Sequence, residues 1–371
     1  MNDSISRVEG RPPVSHGFKE KAKDNRVCTF RKFVAKIRLR TQVSPCLEHE
    51  AGVFASKPPM HALPTPPAIH QPILVTGASG FIGAHLCKRL REYGLDVIGA
   101  TRQPDAPLPE GVRKCVVNLA DHGEVLKLFD EEKPETVFHL AGHVVGRRGV
   151  DEVMPSFQCT LASTVNLLVA AQGRISGRFV LSGSLEEPST VTEAPCSPYA
   201  TTKQAASSFA RMFHALYNLP VVIARVFMVY GPDQKDQTKL VPYVIESLLD
   251  GSSPRLGSGT RPVDWIHVSD VVEGLITMAY RPGIEGQTID LGTGRLETVR
   301  TVAEQLTRIV AGAGAPIFDP STDRPLEQVR RADIESTMQA LGWSPRYSLE
   351  DGLADTVRWH VLRRAETTLR P

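Results

Sequence analysis

The stretch Val75-Thr76-Gly77-Ala78-Ser79-Gly80-Phe81-Ile82-Gly83 constrains this chain more than any other. It sets three glycines at three-residue spacing between a short apolar run, Ile73 to Thr76, and a helical stretch, Phe81 to Tyr93. A strand that must turn sharply calls for Gly77, a backbone that must approach a pyrophosphate calls for Gly80, and a helix that must pack tightly on a sheet calls for Gly83. The helix N-terminus then offers N–H groups and a partial positive charge to phosphates. A glycine pattern alone is a weak signal, and a purely structural turn is the alternative. Its place, after a strand and opening an alternating fold, points to dinucleotide binding by Gly77, Ser79, Gly80, Phe81, Ile82 and Gly83.

The alternation continues. Strands are predicted at Val97 to Ala100, Cys115 to Val117, Thr136 to Leu140, Phe179 to Leu181 and Val221 to Val226, with helices at Gly123 to Glu131, Ser163 to Ala171 and Tyr199 to Leu216. Short apolar strands separated by helices imply parallel pairing with helices on both faces. The fold class is therefore α/β, a doubly wound parallel sheet of the Rossmann type over residues 73–235. After Tyr230 the pattern loosens. Helices are expected at Lys239 to Leu249, Val271 to Tyr280, Val299 to Val310, Ser336 to Leu341 and Leu349 to Arg364, with strands at Trp265 to Val268 and Gln287 to Leu291. These make a smaller C-terminal α/β substrate lobe, 236–371, whose strands could interleave with the first region.

Residues 1–72 read differently. Up to Met60 there are 12 Lys/Arg against 6 Asp/Glu, and Pro58, Pro59, Pro64, Pro66, Pro67 and Pro72 break any regular element, so a disordered basic and Pro-rich tail is expected. Phe30 to Arg40 alternates basic and apolar residues and could lie on a membrane or partner, and translation starting at Met60 is a further alternative. The net charge of +2 gives no footprint for nucleic acid. Six scattered cysteines form neither a disulfide framework nor a metal site. With no apolar run near the length of a membrane span and no secretory core, the cytoplasm is the expected compartment.

Two positions bear on cofactor choice. A carboxylate at the end of the second strand would bind the ribose 2′-hydroxyl of NAD, but Thr101-Arg102 stands there. A neutral residue removes repulsion of a 2′-phosphate and Arg102 can pair with it bidentately, so NADP is favoured over NAD. In the alternative, Arg102 stacks on the adenine or faces water.

Tyr199 and Lys203 lie four residues apart, on one face of one helix. A nearby cation favours the phenolate, which moves the phenol toward acid–base work. Tyr-x-x-x-Lys is common by chance. Here, however, it begins the helix after the fifth strand, which ends at Ser182-Gly183-Ser184 and so offers a hydroxyl for the same reacting oxygen.

Together these motifs resemble the extended short-chain dehydrogenase/reductases that modify nucleotide sugars, over roughly residues 73–362. Further matches are Asn118-Leu119, His139-Leu140-Ala141-Gly142, Arg225 with Val229-Tyr230-Gly231-Pro232, Asp264 to Asp270, and Leu341-Gly342-Trp343-Ser344-Pro345. The resemblance implies a nucleotide-sugar substrate, with Asn118, Leu119, Leu140, Ala141 and Gly142 joining the cofactor site. Tyr199 would remove or return a proton on a sugar hydroxyl, often at carbon 4, while Ser184 orients that oxygen and Lys203 holds cofactor and phenolate. It also implies a twofold homodimer through the helices Ser163 to Ala171 and Tyr199 to Leu216.

Glu186 stands where 4,6-dehydratases of this family carry the base for carbon 5, but Leu185 replaces their intervening polar residue. Gly183-Ser184-x-Glu186-Glu187 is also similar to GDP-4-keto-6-deoxymannose reductases. A solvated surface role for Glu186 is the alternative. In the lobe, Lys239-Leu240 matches the nucleotide pocket, while Met228 and Val263 replace a usual Asn and Arg. Arg261 and Arg324 could supply the missing positive charge, and a substrate without a nucleotide stays open. Reduction of a 4-keto sugar ranks first, 4-epimerisation second and 4,6-dehydration third. A non-catalytic NADP sensor is the reading from another class, disfavoured because Ser184, Tyr199 and Lys203 are all present.

Overall fold

A computed structural model describes residues 68–369 apart from 191, 311–313 and 325. Of the disordered tail expected over residues 1–72, residues 1–67 lie outside the described residues, and the expectation fails for 68–72. At its end the chain already packs on the fold: Ile69 is buried, and Thr136 Oγ1 donates to the His70 carbonyl at 2.8 Å.

Seven parallel strands form the central sheet: β1 (Ile73–Thr76), β2 (Val97–Thr101), β3 (Arg113–Val116), β4 (Thr136–His139), β5 (Phe179–Ser184), β6 (Val221–Val226) and β10 (Thr288–Leu291). Their order across the sheet is β10-β6-β5-β4-β1-β2-β3. Both faces are covered, which is why the inner strands read as unbroken apolar runs. The two-residue period of a strand splits each of them between two cores. Leu74, Ile98, Val137, Leu181 and Ile223 point to one side, and Ile73, Val75, Val97, Phe138, Val180 and Val222 to the other. The seventh strand comes from beyond the nucleotide half, with Thr288 level with Ile223 and Leu291 with Val226. The two regions read from the sequence are thus joined through one sheet.

Helices α1 (Phe81–Glu92), α2 (His122–Glu132), α3 (Val150–Ala171) and α4 (Pro198–Tyr217) accompany these strands. Local sequence fixes their ends. Asp121 accepts from Glu124 N at the start of α2, Ser197 accepts from Ala200 N at the start of α4, and Asn218 ends α4 in the left-handed region at φ 55°. Each such side-chain cap contributes about 1 kcal/mol. Helix α3 begins far ahead of the predicted Ser163 and contains a π-helical stretch, Phe157–Ala162. By length and composition it is the one helix among the described residues that could cross a membrane, which the sequence reading did not anticipate. In this fold it packs in the helical layer with α2 and α4. Val153, Met154 and Phe157 of α3, and Phe209, Leu216 and Tyr217 of α4, are exposed.

The C-terminal lobe contains strands β7 (Met228–Tyr230), β8 (Arg255–Leu256), β9 (Pro262–His267), β11 (Leu296–Thr298) and β12 (Ile317–Phe318), of which β9 is the central member of a three-stranded sheet. Helices α5 (Leu240–Leu249), α6 (Val268–Tyr280), α7 (Val299–Val310), α8 (Ile334–Leu341) and α9 (Leu349–Leu369) complete it. Two aspartates of the 264–270 motif are buried acceptors that tie loops to this frame. Asp264 takes N–H groups from Thr293, Gly294 and Ala332, and Asp270 takes those of Arg346 and Tyr347.

Candidate active site

A cleft of about 2170 Å³ opens at the carboxyl ends of β1, β4 and β5 and runs into the C-terminal lobe. This is where open doubly wound sheets hold ligands. The glycine turn forms one end. Gly77 has φ +67°, and a Cβ there would lie 2.9 Å from Ala141 N, so both its conformation and its space require glycine. A Cβ on Gly83 would lie 2.1 Å from the Gly77 carbonyl oxygen, so the helix can approach the turn only without one. Gly80 is less constrained, with a Cβ 3.1 Å from that same oxygen. Helix α1 has no side-chain cap and no acidic residue in its first turn, leaving its positive end open to an anion. A cradle that added methyl groups would fill, set at such a helix end, fits a dinucleotide pyrophosphate.

Ser79, Gly80, Phe81, Ile82, Thr101, Arg102, Asn118, Leu119, Leu140, Ala141 and Gly142 all line this cleft. Thr101 is buried and its Oγ1 donates to the Gln103 carbonyl at 3.0 Å, whereas Arg102 is exposed and its Nη1 donates to Cys159 Sγ at 3.3 Å. Asn118 Oδ1 accepts from Ala120 N at 3.2 Å within its own turn. Ala141 N donates to Thr76 Oγ1, which also pairs with His139 Nδ1 at 2.7 Å. Burial, and the Lys203 charge, push the His139 imidazole down to about 3, so it is neutral and holds the ends of β1 and β4 together.

The catalytic candidates meet beside this end. Pro198 sets the first helical position of α4, placing Tyr199 in its first turn and Lys203 one turn later. The Tyr199 hydroxyl hydrogen-bonds Ser184, whose own Oγ accepts from Glu186 N at 3.2 Å. Lys203 is buried, donates to the Ser182 carbonyl at 2.6 Å, and lies 5.9 Å from the centroid of the Tyr199 ring. Burial brings its ammonium down to about 8, against the opposing charge of Glu187.

The expectation that the cation favours a phenolate is corrected here. Burial raises the Tyr199 phenol above its ordinary value, the Ser184 bond only partly offsets this, and the carboxylates of Glu186 and Glu187 raise it further. The phenol is held protonated. Glu186 lines the cleft half-buried, with Ser197 Oγ at 3.4 Å from its Oε2 and Cys196 Sγ at 3.7 Å. Leu185 between them is buried in the core.

Lys239, Leu240, Arg261 and Arg324 line the far part of the cleft, with Met228 and Val263 in its wall. Three of these four already hold protein groups. Lys239 Nζ donates to the Val144 carbonyl at 3.1 Å, Arg324 Nη1 to the Gly146 carbonyl at 3.1 Å, and Arg261 Nη2 to the Gln328 carbonyl at 2.9 Å, with Glu327 3.4 Å from its Nη1. Two groups near the site escaped the sequence reading. Thr160 in the π-helical stretch accepts from His143 N at 3.1 Å next to Gly142, and the buried Glu187 accepts from Ser184 N at 2.7 Å. Glu187 enters that reading only as part of the Gly183-Ser184-x-Glu186-Glu187 string, with no role of its own, although its place three residues after Ser184 is the reach at which a side chain closes a turn. Thr160 had no such signal. Among the described residues no group of His, Cys, Asp and Glu is arranged to hold a metal.

A model of the NAD dependent epimerase/dehydratase family matches residues 73–292. The UDP-glucose 4-epimerase of Mycolicibacterium smegmatis is 33% identical over 312 residues, 77% of this chain and 97% of its own length. A dTDP-glucose 4,6-dehydratase of an Actinoplanes species is 31% identical over 324 residues, 79% of this chain and 98% of its own. The crystal structure of Thermus thermophilus UDP-glucose 4-epimerase in complex with NAD superposes with a TM-score of 0.69 at 27% identity, covering 77% of this chain and 98% of that one.

Proposed function

This chain belongs to the NAD dependent epimerase/dehydratase family, and from that premise we propose that it reduces the 4-keto group of a nucleotide-linked sugar. The observation that carries this reading is the Tyr199 phenol, held protonated and bonded to Ser184 at the mouth of the dinucleotide cradle. Reduction of a ketone needs a proton donor at the oxygen, and a phenol raised by burial and two carboxylates is one at neutral pH. Ser184 orients the oxygen, and Lys203 sets a cation beneath the ring where the phenolate would develop. A nicotinamide dinucleotide held by Gly77, Gly80 and Gly83 would supply the hydride chemistry. Elimination across carbons 5 and 6 calls for an acid beside the base, and Leu185, buried in the core, takes the position between Ser184 and Glu186. That argues against dehydration. A second reading, 4-epimerisation, is favoured by the 33% identity with the mycobacterial epimerase.

Incubation of the purified protein with a panel of UDP-, dTDP- and GDP-sugars and their 4-keto forms, with NADPH or NADH, separates these readings by product mass. Gain of two hydrogens with matching cofactor oxidation is expected. An isomer of unchanged mass would replace the reading with epimerisation, and loss of water with dehydration.

For the cofactor we propose a preference for NADP. Thr101 turns its hydroxyl into its own turn, leaving Arg102 as the charged group at that end of the cleft, held only by a thiol, which is a weak acceptor. A charge-assisted contact with a 2′-phosphate contributes about 1.5 to 3 kcal/mol, roughly a ten- to hundredfold preference. Calorimetric titration should show Arg102→Ala losing most of this preference through weaker NADP binding, with NAD little changed. Thr101→Asp should reverse the order. Tighter binding of NAD than of NADP by the native chain would return Arg102 to a solvent role.

A further inference from the structure

We propose that Glu187 is a positioning residue for the reaction: its carboxylate clamps the turn that carries Ser184 and is the counter-charge of Lys203. The inference rests on reading Ser184, Tyr199 and Lys203 as the catalytic set. Glu187 lies three residues past the end of β5, and its own N–H bonds back to the Ser184 carbonyl at 3.2 Å while its Oε1 accepts from Ser184 N at 2.7 Å. Both bonds close on the same residue, so the backbone that aims the Ser184 hydroxyl is fixed from two sides. The preceding residue fits the same arrangement: a Cβ on Gly183 would lie 2.7 Å from Glu187 Oε1, so glycine makes the space that the carboxylate occupies.

A carboxylate only 5% exposed is costly to bury, and its retention calls for compensating charge. Its charge acts on Lys203 and Tyr199 of α4 and on Arg330 of the loop before α8. Lys203 itself donates to the Ser182 carbonyl from β5, and its charge acts on neutral His139 of β4. Glu187 is thus the carboxylate acting on the ammonium, and its charge favours the cationic form that burial opposes. Arg330 in turn donates to Ser189 Oγ at 2.6 Å, so the same turn is also held from the C-terminal lobe.

Glu187→Gln tests this, because an amide oxygen can still accept from Ser184 N while the charge is lost. In the full chain labelled with [13C, 15N]lysine, the Lys203 resonance, assigned by its loss in Lys203→Met, is titrated by NMR. The midpoint is expected to fall by about one unit in Glu187→Gln, as for loss of an adjacent opposite charge. In turnover, the upper limb of the pH profile should move to lower pH by a similar amount, with kcat reduced and KM little changed. An unaltered Lys203 midpoint in a folded Glu187→Gln protein would overturn the proposal. If Glu187→Gln does not fold, Glu187→Asp, which keeps the charge but shortens the reach, should retain the Lys203 midpoint while losing turnover, and a displaced midpoint there would overturn it. The NMR readout needs no substrate. A shifted midpoint in a protein that turns over none of the panel sugars would therefore sink the functional reading and leave the charge coupling standing.

Discussion

Tyr199→Phe is expected to lower turnover by roughly a hundred- to ten-thousandfold, the usual contribution of a positioned acid or base. The substitution removes the hydroxyl bonded to Ser184 and leaves the ring beside Lys203 in place. Ser184 keeps its bond from Glu186 N and Lys203 keeps the Ser182 carbonyl, so the rest of the site has its partners. The lost hydrogen bond costs about 1 kcal/mol of stability at most, and cofactor affinity should change by less than a few-fold. The separation of the two effects is what identifies the role: a large fall in kcat with nearly constant cofactor binding by calorimetry. Turnover near the parent level would remove Tyr199 from the chemistry.

Gly83→Ala should have the largest effect on the fold around the cofactor. One added methyl group would meet the Gly77 carbonyl oxygen at 2.1 Å, the Gly77 carbonyl carbon at 2.8 Å and Ala78 Cα at 3.1 Å. All three are backbone, so no side chain can rotate aside, and either α1 moves out or the turn opens. Overpacking of this kind costs about 1 to 3 kcal/mol and sometimes more. A lower melting temperature is expected together with loss of measurable cofactor binding. Gly80→Ala is the informative control, since its φ of −76° suits any residue and its Cβ would meet only the Gly77 oxygen at 3.1 Å. That variant should fold nearly as the parent does, so weakened cofactor binding there would report contact with the ligand. A Gly83→Ala protein with parent melting temperature and affinity would contradict the packing described.

Much of the nucleotide half was legible because each of its inner strands is an apolar run buried on both faces, and because Gly77, with its positive φ, and Gly83, against the Gly77 carbonyl, have local reasons to be glycine. The start of α3 was not, since Pro155 and the π-helical stretch Phe157–Ala162 break the helical period there. Strands β8 and β12 are two residues each, too short to show any alternation. In the site, the pairing of Tyr199 with Lys203 follows from helical spacing, but the direction of the phenol's shift does not. It depends on burial and on Glu186 and Glu187, which the turn after β5 brings to α4. Glu187 entered the reading only as a member of the Gly183-Ser184-x-Glu186-Glu187 string, since nothing local shows that its carboxylate turns back onto Ser184 N. The carbonyl partners of Lys239 and Arg324, Val144 and Gly146, lie 95 and 178 residues away in the chain, beyond the reach of any local pattern.

The late arrival of β10 in the central sheet bears on how such a protein is made and recombined. Until residues Thr288–Leu291 leave the ribosome, β6 is an open edge, and the carbonyls of Gln287 and Leu291 that later accept from Ile223 N and from Phe227 N just past its end do not yet exist. The nucleotide half therefore stays one strand short while the first part of the lobe, up to the helix Val268–Tyr280, is being synthesised. For the same reason, a single crossover near residue 235 would splice one parent's β6 to another parent's β10. Exchanging lobes between relatives to change the substrate calls for two crossovers, so that β6 and β10 are inherited from one parent.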